Sequence, residues 1–430
     1  MDVARDLRLG GRLAVMRSGG RVLAWSGDPV LRLMYRPWVD RPHQVHRQLR
    51  EGPQPFVSRS GVLVVATAEL CREVVRDRRF GVRTRAGGTP GGAVDGARDP
   101  LLEPVDLSIL GLDPPDHTRL RRLVAPAFTP ARVAAREHLA RSVAERLVDA
   151  ASRKDRFDLV ADVAVPLPVA VIADILGVPD ADAETFGHWG RAVGAGLGGV
   201  RSLRALHRLD RAVVELRGLM SDLVARRRRE GRSGTDDVLD LLVAEEVDDD
   251  EAVSLAVLLL LAGFETTSGL IGNAVAAMLA SGSWDDLVDD PSTAAAVVEE
   301  TLRFDPPVQF TARVPHEDVE LAGTTVPADS TVLALLGAAG RDPAVHTDPE
   351  VFDPTRTTAA EHLAFSGGLH YCLGAPLARL EGRVALEALA TRMPTLRRLP
   401  GATRRRSLLL SEFTRLPLAH HRGSDGSPLS

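Results

Sequence analysis

Cys372 sits in the segment Phe365-Ser366-Gly367-Gly368-Leu369-His370-Tyr371-Cys372-Leu373-Gly374, and apolar residues recur at helical spacing from Ala375 through Leu389. The cysteine is therefore expected just ahead of a helix N-terminus. Unpaired amide N–H groups and the positive end of the helix dipole there favour the thiolate, which is the metal-ligating form. Glycines on either side let the backbone lie flat against a large planar ligand. A lone cysteine in a Gly-rich turn is more often a small buried hydrophobe, and that account suits Cys71, which has no such context.

Three other groupings carry chemistry. Leu260-Leu261-Ala262-Gly263-Phe264-Glu265-Thr266-Thr267 places an acid and two alcohols inside an apolar helical run. Alone, it reads as a core helix with a buried, hydrogen-bonded acid. Glu300-Thr301-Leu302-Arg303 sets an acid and a guanidinium at i and i+3, on one face of a helix. Asp113-Pro114-Pro115-Asp116-His117-Thr118-Arg119-Leu120-Arg121 opens another helix with a capping acid and basic residues behind it.

Taken together, Phe365, Gly368, His370, Cys372 and Gly374 resemble the haem-ligand signature of the cytochrome P-450 family, soluble bacterial type. The resemblance spans roughly Asp113 to Arg383, with weaker likeness from Tyr35 to Phe80 and around Leu410–Pro417. It implies a mainly α fold with a small β region, a helix-rich triangular prism holding haem between a long central helix and the Cys-ligand helix. It implies haem b (iron protoporphyrin IX) with Cys372 as axial iron ligand, lined by Phe365, Gly374 and Ala262. His117, Arg121, Arg313 and His370 match the propionate contacts, and two buried carboxylates need such pairing. Glu300 and Arg303, joined by Arg356 of Phe352-Asp353-Pro354-Thr355-Arg356, take a structural role, holding the loop before Cys372. Two departures are Gly340, where Asn is common before Arg341-Asp342-Pro343, and Glu412, where Gly is common in the last hairpin.

The activity implied is a haem-thiolate monooxygenase that uses O2 as cosubstrate. The thiolate pushes electron density towards O–O cleavage, Thr266 orders water at the reduced dioxygen, and Glu265 relays protons from solvent. Ala262 and Gly263 are small enough for close approach. The pocket maps to Val82–Gly111, Trp189–Leu203, Leu258–Thr266 and Val308–Phe310. Leu259, Val308, Phe310 and Phe413 make it mostly apolar, suited to a bulky small molecule such as a polyketide, macrolide or terpenoid. No Gly-x-Gly-x-x-Gly turn follows a strand, so electrons are expected from a ferredoxin and its reductase, docking near Cys372 on Arg379 and Arg383. Rival readings are a peroxygenase, a coupling or rearrangement enzyme without oxygen insertion, and a noncatalytic haem or ligand sensor. The Glu265–Thr266 pair speaks against the first and last.

These residues need a scaffold, and the chain reads as one. Helical periodicity dominates from Thr118 to about Arg303, with amphipathic stretches at Arg132–Arg153 and Leu206–Arg229. Strand-like pieces are few: Val62–Ala66, Val319–Leu321, Thr331–Leu335 and Leu408–Leu410. Gly87–Gly96 and Gly190–Gly199 read as mobile loops, the latter as the hinge of the pocket. No linker or repeat divides the 430 residues, so one domain is expected, with about 1–30 as an N-terminal extension and the tail from His421 frayed. A net charge of −5 offers no field for nucleic acid. Two cysteines suit a reducing compartment, and the apolar run Ala252 to Ala262 is about half a bilayer span. A cytoplasmic monomer without a membrane anchor is the expectation.

Overall fold

The computed structural model describes residues 17–88, 108–178, 183–197, 202–231, 237–245, 247–405 and 407–420, with isolated positions 11, 15 and 234. The tail from His421 lies outside the described residues, as do the start of the N-terminal extension, most of Gly87–Gly96 and the end of Gly190–Gly199.

A 33-residue helix, Asp249–Ser281, is the axis of the structure. The Asp248 carboxylate caps it by accepting from the amides of Asp250 and Glu251, and Asp249, Asp250 and Glu251 place negative charge at its positive end. Gly282, at φ +77°, ends it in the left-handed conformation that glycine adopts without strain. Apolar all round, such a helix must be buried. It packs against the helices Pro166–Leu176, Leu203–Glu230, Ala294–Phe304 and Ala375–Arg392. By length and composition it could also cross a membrane; here most of its apolar stretch is inside the protein.

The helix that follows the cysteine, Ala375–Arg392, starts with Pro376 in its first turn and packs on Glu137–Ser152, Ala294–Phe304 and the central helix. A five-stranded sheet runs in the order Phe56–Val57, Leu63–Val65, Val332–Ala334, Thr311–Pro315, Phe80–Gly81. Leu63–Val65 lies parallel to Val332–Ala334, and Arg313 pairs with Val332 across the antiparallel neighbour. Alternation sorts the sheet's apolar side chains: Leu63, Val65, Val332 and Ala334 join one core cluster, Val64 and Leu333 the other.

Two expectations change. Leu408–Leu410 forms no strand beyond a single bridge from Leu410 to Val308. The Ser407 hydroxyl accepts from the amides of Leu409 and Leu410, a local turn that takes those donors away from a ladder. Phe413–Arg415 and Pro417–Ala419 are the strands instead. The described part of Gly190–Gly199 is helix, within Ala183–Leu197. Gly190 serves packing rather than mobility, since a Cβ there would collide with Phe264 and Glu265 of the central helix.

Candidate active site

The cysteine loop is held from several sides. Cys372 donates its amide to Phe365 O at 3.0 Å, closing the loop. Gly368 has φ +62°, and a Cβ there would lie 2.5 Å from Val75 O, so this turn requires glycine. Ser366, at φ +60°, adopts the same region at a cost of order 1 kcal/mol; its hydroxyl accepts from Arg313 Nη2 at 3.1 Å. Arg121 Nη2 donates to Tyr371 O at 2.7 Å. The Arg379 guanidinium stacks 4.6 Å from the Phe365 ring centroid. A Cβ at Gly374 would meet no protein atom, so the protein leaves room beside the sulfur.

Cys372 is accessible to a water-sized sphere yet enclosed by protein at longer range, the combination an internal cavity produces. Burial pushes its thiol above the ordinary value. The amides of Gly374 and Ala375 and the charges of Arg121 and Arg379 pull the other way without prevailing. The helix terminus and the two guanidinium groups therefore favour the thiolate, as the sequence leads one to expect, without outweighing burial.

His117, Arg313 and His370 converge with Arg121 beside this loop. The His117 and His370 rings lie 4.4 Å apart. Neither His117 nitrogen, nor His370 Nε2, has a hydrogen-bond partner, although His117 is buried. Asp113 Oδ1 stands off at 3.9 Å from His370 Nε2. Burial lowers the His117 pKa to about 4, helped by His370 and Arg121, and burial lowers that of Arg313 to about 10. Orphaned buried donors beside two guanidinium groups call for an anionic guest, and the two carboxylates of a haem fit that requirement.

In the middle of the central helix, Ala262 is exposed and Leu258, Leu261, Glu265 and Thr266 are partly accessible, while most of their neighbours are buried. Their spacing of i, i+3, i+4, i+7 and i+8 is one stripe, which faces open space. Thr266 donates to Ala262 O at 2.9 Å, leaving its oxygen free to accept. Gly263 is partly accessible as well, and a Cβ there would meet Ile172 at 2.7 Å, so its smallness serves the packing of Pro166–Leu176.

Glu265, expected to relay protons from solvent, is held inside the protein by a side chain of the last hairpin. Its carboxylate binds Arg405 Nη2, whose Nε binds Glu412, so one guanidinium holds both carboxyls. Burial raises the pKa of both, that of Glu412 to about 8, while Arg405 opposes the shift. Arg405 and Glu412 were not legible as partners of Glu265; the one signal was the departure at Glu412.

Glu300, Arg303 and Arg356 form a buried cluster. Arg303 uses all five donors: two on Glu300 at 2.7 Å, and the others on the carbonyls of Gly340, Pro349 and Val351 at 2.8 to 2.9 Å. Arg356 Nε reaches Glu300 at 3.5 Å. A Cβ at Gly340 would collide with Arg303 O, which explains the glycine there. This cluster ties down 340–356. The cysteine loop itself leans on Glu299, a residue the sequence did not single out. Arg379 Nε binds Glu299 at 2.5 Å and His362 Nε2 lies 3.3 Å from it. Burial opposes ionisation of Glu299, yet His362 and Arg379 hold its carboxyl down at about 2.

Of the pocket candidates, Val308 and Phe310 are half-buried. Leu259 is in the main core at the edge of the accessible stripe. Phe413 is buried in the main core, with the Arg404 guanidinium 4.4 Å and that of Arg398 5.5 Å from its ring centroid. Arg379 and Arg383 are not free docking cations: Arg379 serves Glu299, and Arg383 pairs with Glu137 and Glu387, both at 2.9 Å. Beside the loop, Arg72, Arg76, Phe365, Gly368, Tyr371 and Arg379 line a depression of about 490 Å³.

The family model described as Cytochrome P450 matches residues 281–392, which hold the Glu300 cluster and the cysteine loop. The chain is 40% identical over 316 residues to the 6-deoxyerythronolide B hydroxylase of Saccharopolyspora erythraea, covering 71% of this chain and 76% of that one. It is 37% identical over 387 residues to Cytochrome P450 monooxygenase PikC of Streptomyces venezuelae, covering 86% and 89%. Ligand-free CYP164A2 of Mycobacterium smegmatis superposes with a TM-score of 0.81 at 36% identity, over 91% of this chain and 99% of that one. Both the sequence likeness and the shared fold run through most of the chain, which belongs to the cytochrome P-450 family and is a haem-thiolate monooxygenase.

Proposed function

We propose that this protein is one haem domain which inserts an oxygen atom from O2 into a bulky, largely apolar small molecule of polyketide, macrolide or terpenoid type, by hydroxylation or epoxidation. Haem b, when bound, supplies the activation of dioxygen. Cys372 Sγ would hold the iron, and His117, Arg121, Arg313 and His370 would hold the propionates. The observation that carries this reading is the set of orphaned buried donors, His117 and His370, beside Arg121, Arg313 and the sulfur of Cys372.

Thr266 Oγ1 spends its proton on Ala262 O and so accepts from water, orienting a donor into the cavity. Glu265 moves protons to that water. Ala262 offers a small surface for close approach, and Leu258, Val308 and Phe310 supply apolar contact. Glu300, Arg303 and Arg356 are structural. The likeness to a hydroxylase named for 6-deoxyerythronolide B supports a macrolide-sized substrate and a role in secondary-metabolite tailoring. Electrons come from a ferredoxin and its NAD(P)H-linked reductase at the depression beside Cys372, where Arg72 and Arg76 supply positive charge. The protein works as a cytoplasmic monomer.

The test is the difference spectrum of the dithionite-reduced, carbon monoxide-bound protein, followed by titration with bulky natural products. A Soret band at the thiolate-ligated position, lost in Cys372→Ser, is expected, with a spin-state shift for a macrolide-sized compound. A His-type band overturns the ligand assignment, and shifts confined to small compounds overturn the substrate class.

A further inference from the structure

Glu265 and Glu412 lie on different elements, the central helix and the last hairpin, and meet inside the protein. The backbone sets the meeting: Arg405 N donates to Glu412 O at 2.8 Å beside the ladder of Thr403–Arg404 with Phe413–Arg415, which holds both hairpin side chains in register. Gly269, one turn beyond Glu265, has no Cβ, and one there would stand 3.1 Å from Glu412 Cβ, so the hairpin can close on the helix. Arg405 then binds both carboxylates and donates from Nη1 to Arg191 O at 3.3 Å on the helix Ala183–Leu197.

The charge count is incomplete. Three groups face Glu265: Arg405 and Glu412 from the hairpin, and Arg191 from the neighbouring helix. Arg191 is solvent-exposed, which leaves the single buried guanidinium of Arg405 to balance two buried carboxyls. Like charges this close do not both ionise.

We propose that Glu412 is a positioning residue that shares one proton with Glu265, so that the pair stores the proton Glu265 passes towards Thr266. This rests on the reading of Glu265 as the proton relay. When the proton sits on Glu265, Glu412 carries the charge held by Arg405. After Glu265 Oε releases the proton to water at Thr266, the pair is briefly a dianion against Arg405, and a proton from solvent at the Arg191 and Arg405 rim restores it. The store is placed between the helix Ala183–Leu197 and the central helix, so movement of the former changes both the ion pair and the proton supply.

Infrared titration of the haem-loaded protein tests the sharing. A Glu381→Gln background removes a second buried, neutral carboxyl on the cysteine helix. Glu412→Gln and Glu265→Gln are each expected to remove the same protonated-carboxyl band at neutral pH, and the double variant to remove no more. A band untouched by Glu412→Gln overturns the proposal. The second readout is the solvent deuterium isotope effect on consumption of reducing equivalents, with ferredoxin and reductase supplying electrons and no substrate added. It is expected to shift equally in both variants. A shift in Glu265→Gln alone leaves the relay standing and overturns the role of Glu412; no shift in either refutes the relay and the inference with it.

Discussion

Gly190 lies against the carboxylate of Glu265 so closely that a Cβ would collide with it and with the ring of Phe264. The helix Ala183–Leu197 can therefore press onto the central helix only through glycine. Gly190→Ala is expected to cost about 1–3 kcal/mol from overpacking and to push the Glu265–Arg405 pair apart. Thermal unfolding of the haem-loaded protein reads this directly, and an unchanged Tm refutes the close approach.

Thr266→Ala separates chemistry from folding. The hydroxyl bonds only to Ala262 O within its own helix and is partly accessible. Stability is expected to change by no more than about 0.5 kcal/mol, while reducing equivalents leak to hydrogen peroxide. Measuring peroxide per equivalent consumed, beside a denaturant curve, checks both halves. Unchanged coupling refutes the role given to Thr266.

Arg303→Lys removes a planar fork in which all five donors are used inside the protein. An ammonium cannot span Glu300 and three carbonyls, and breaking a buried pair costs about 3–5 kcal/mol. Haem-loaded protein is expected to be recovered poorly, with a much lower urea midpoint. Arg356→Lys, whose reach to Glu300 is 3.5 Å and whose bonds to the carbonyls of Thr347, Asp348 and Val351 lie at the exposed edge of the cluster, is expected to be milder.

His117→Phe is expected to act in opposite directions on the empty and loaded protein. The imidazole is buried with neither nitrogen bonded, a burden of about 1–3 kcal/mol. Replacing it with an apolar ring stabilises the haem-free form and weakens haem retention, measured as transfer of haem to apomyoglobin. Stronger retention refutes the propionate assignment.

Acid should weaken the haem-free fold through its buried histidines. Burial is the main cause that lowers His46 from its ordinary 6.5 to about 3, and His43, His117 and His346 to about 4. Above 6.5 these rings are neutral in both states and contribute no slope. Below it the unfolded chain binds protons that the folded chain refuses, so stability falls as pH drops from 6.5 towards 4. Urea midpoints at about pH 7.5 and about pH 5 check this; a higher midpoint at the lower pH refutes it.

Short-range signals are what the sequence by itself determined: the cysteine ahead of a helix, the i, i+3 placement of Glu300 and Arg303, and the long apolar helix with an acid and alcohols at its centre. Spacing along one helix or one turn settles these, because the backbone carries the neighbours along. Tertiary structure alone decided whatever depends on which distant segment arrives. Glu265 meets Arg405 across 140 positions, Arg379 is claimed by Glu299 across 80, and Phe413 turns to the core because its strand pairs with Thr403–Arg404. Glycine read most misleadingly. At Gly190 the missing side chain lets two helices touch, and no local pattern distinguishes that use from a loop.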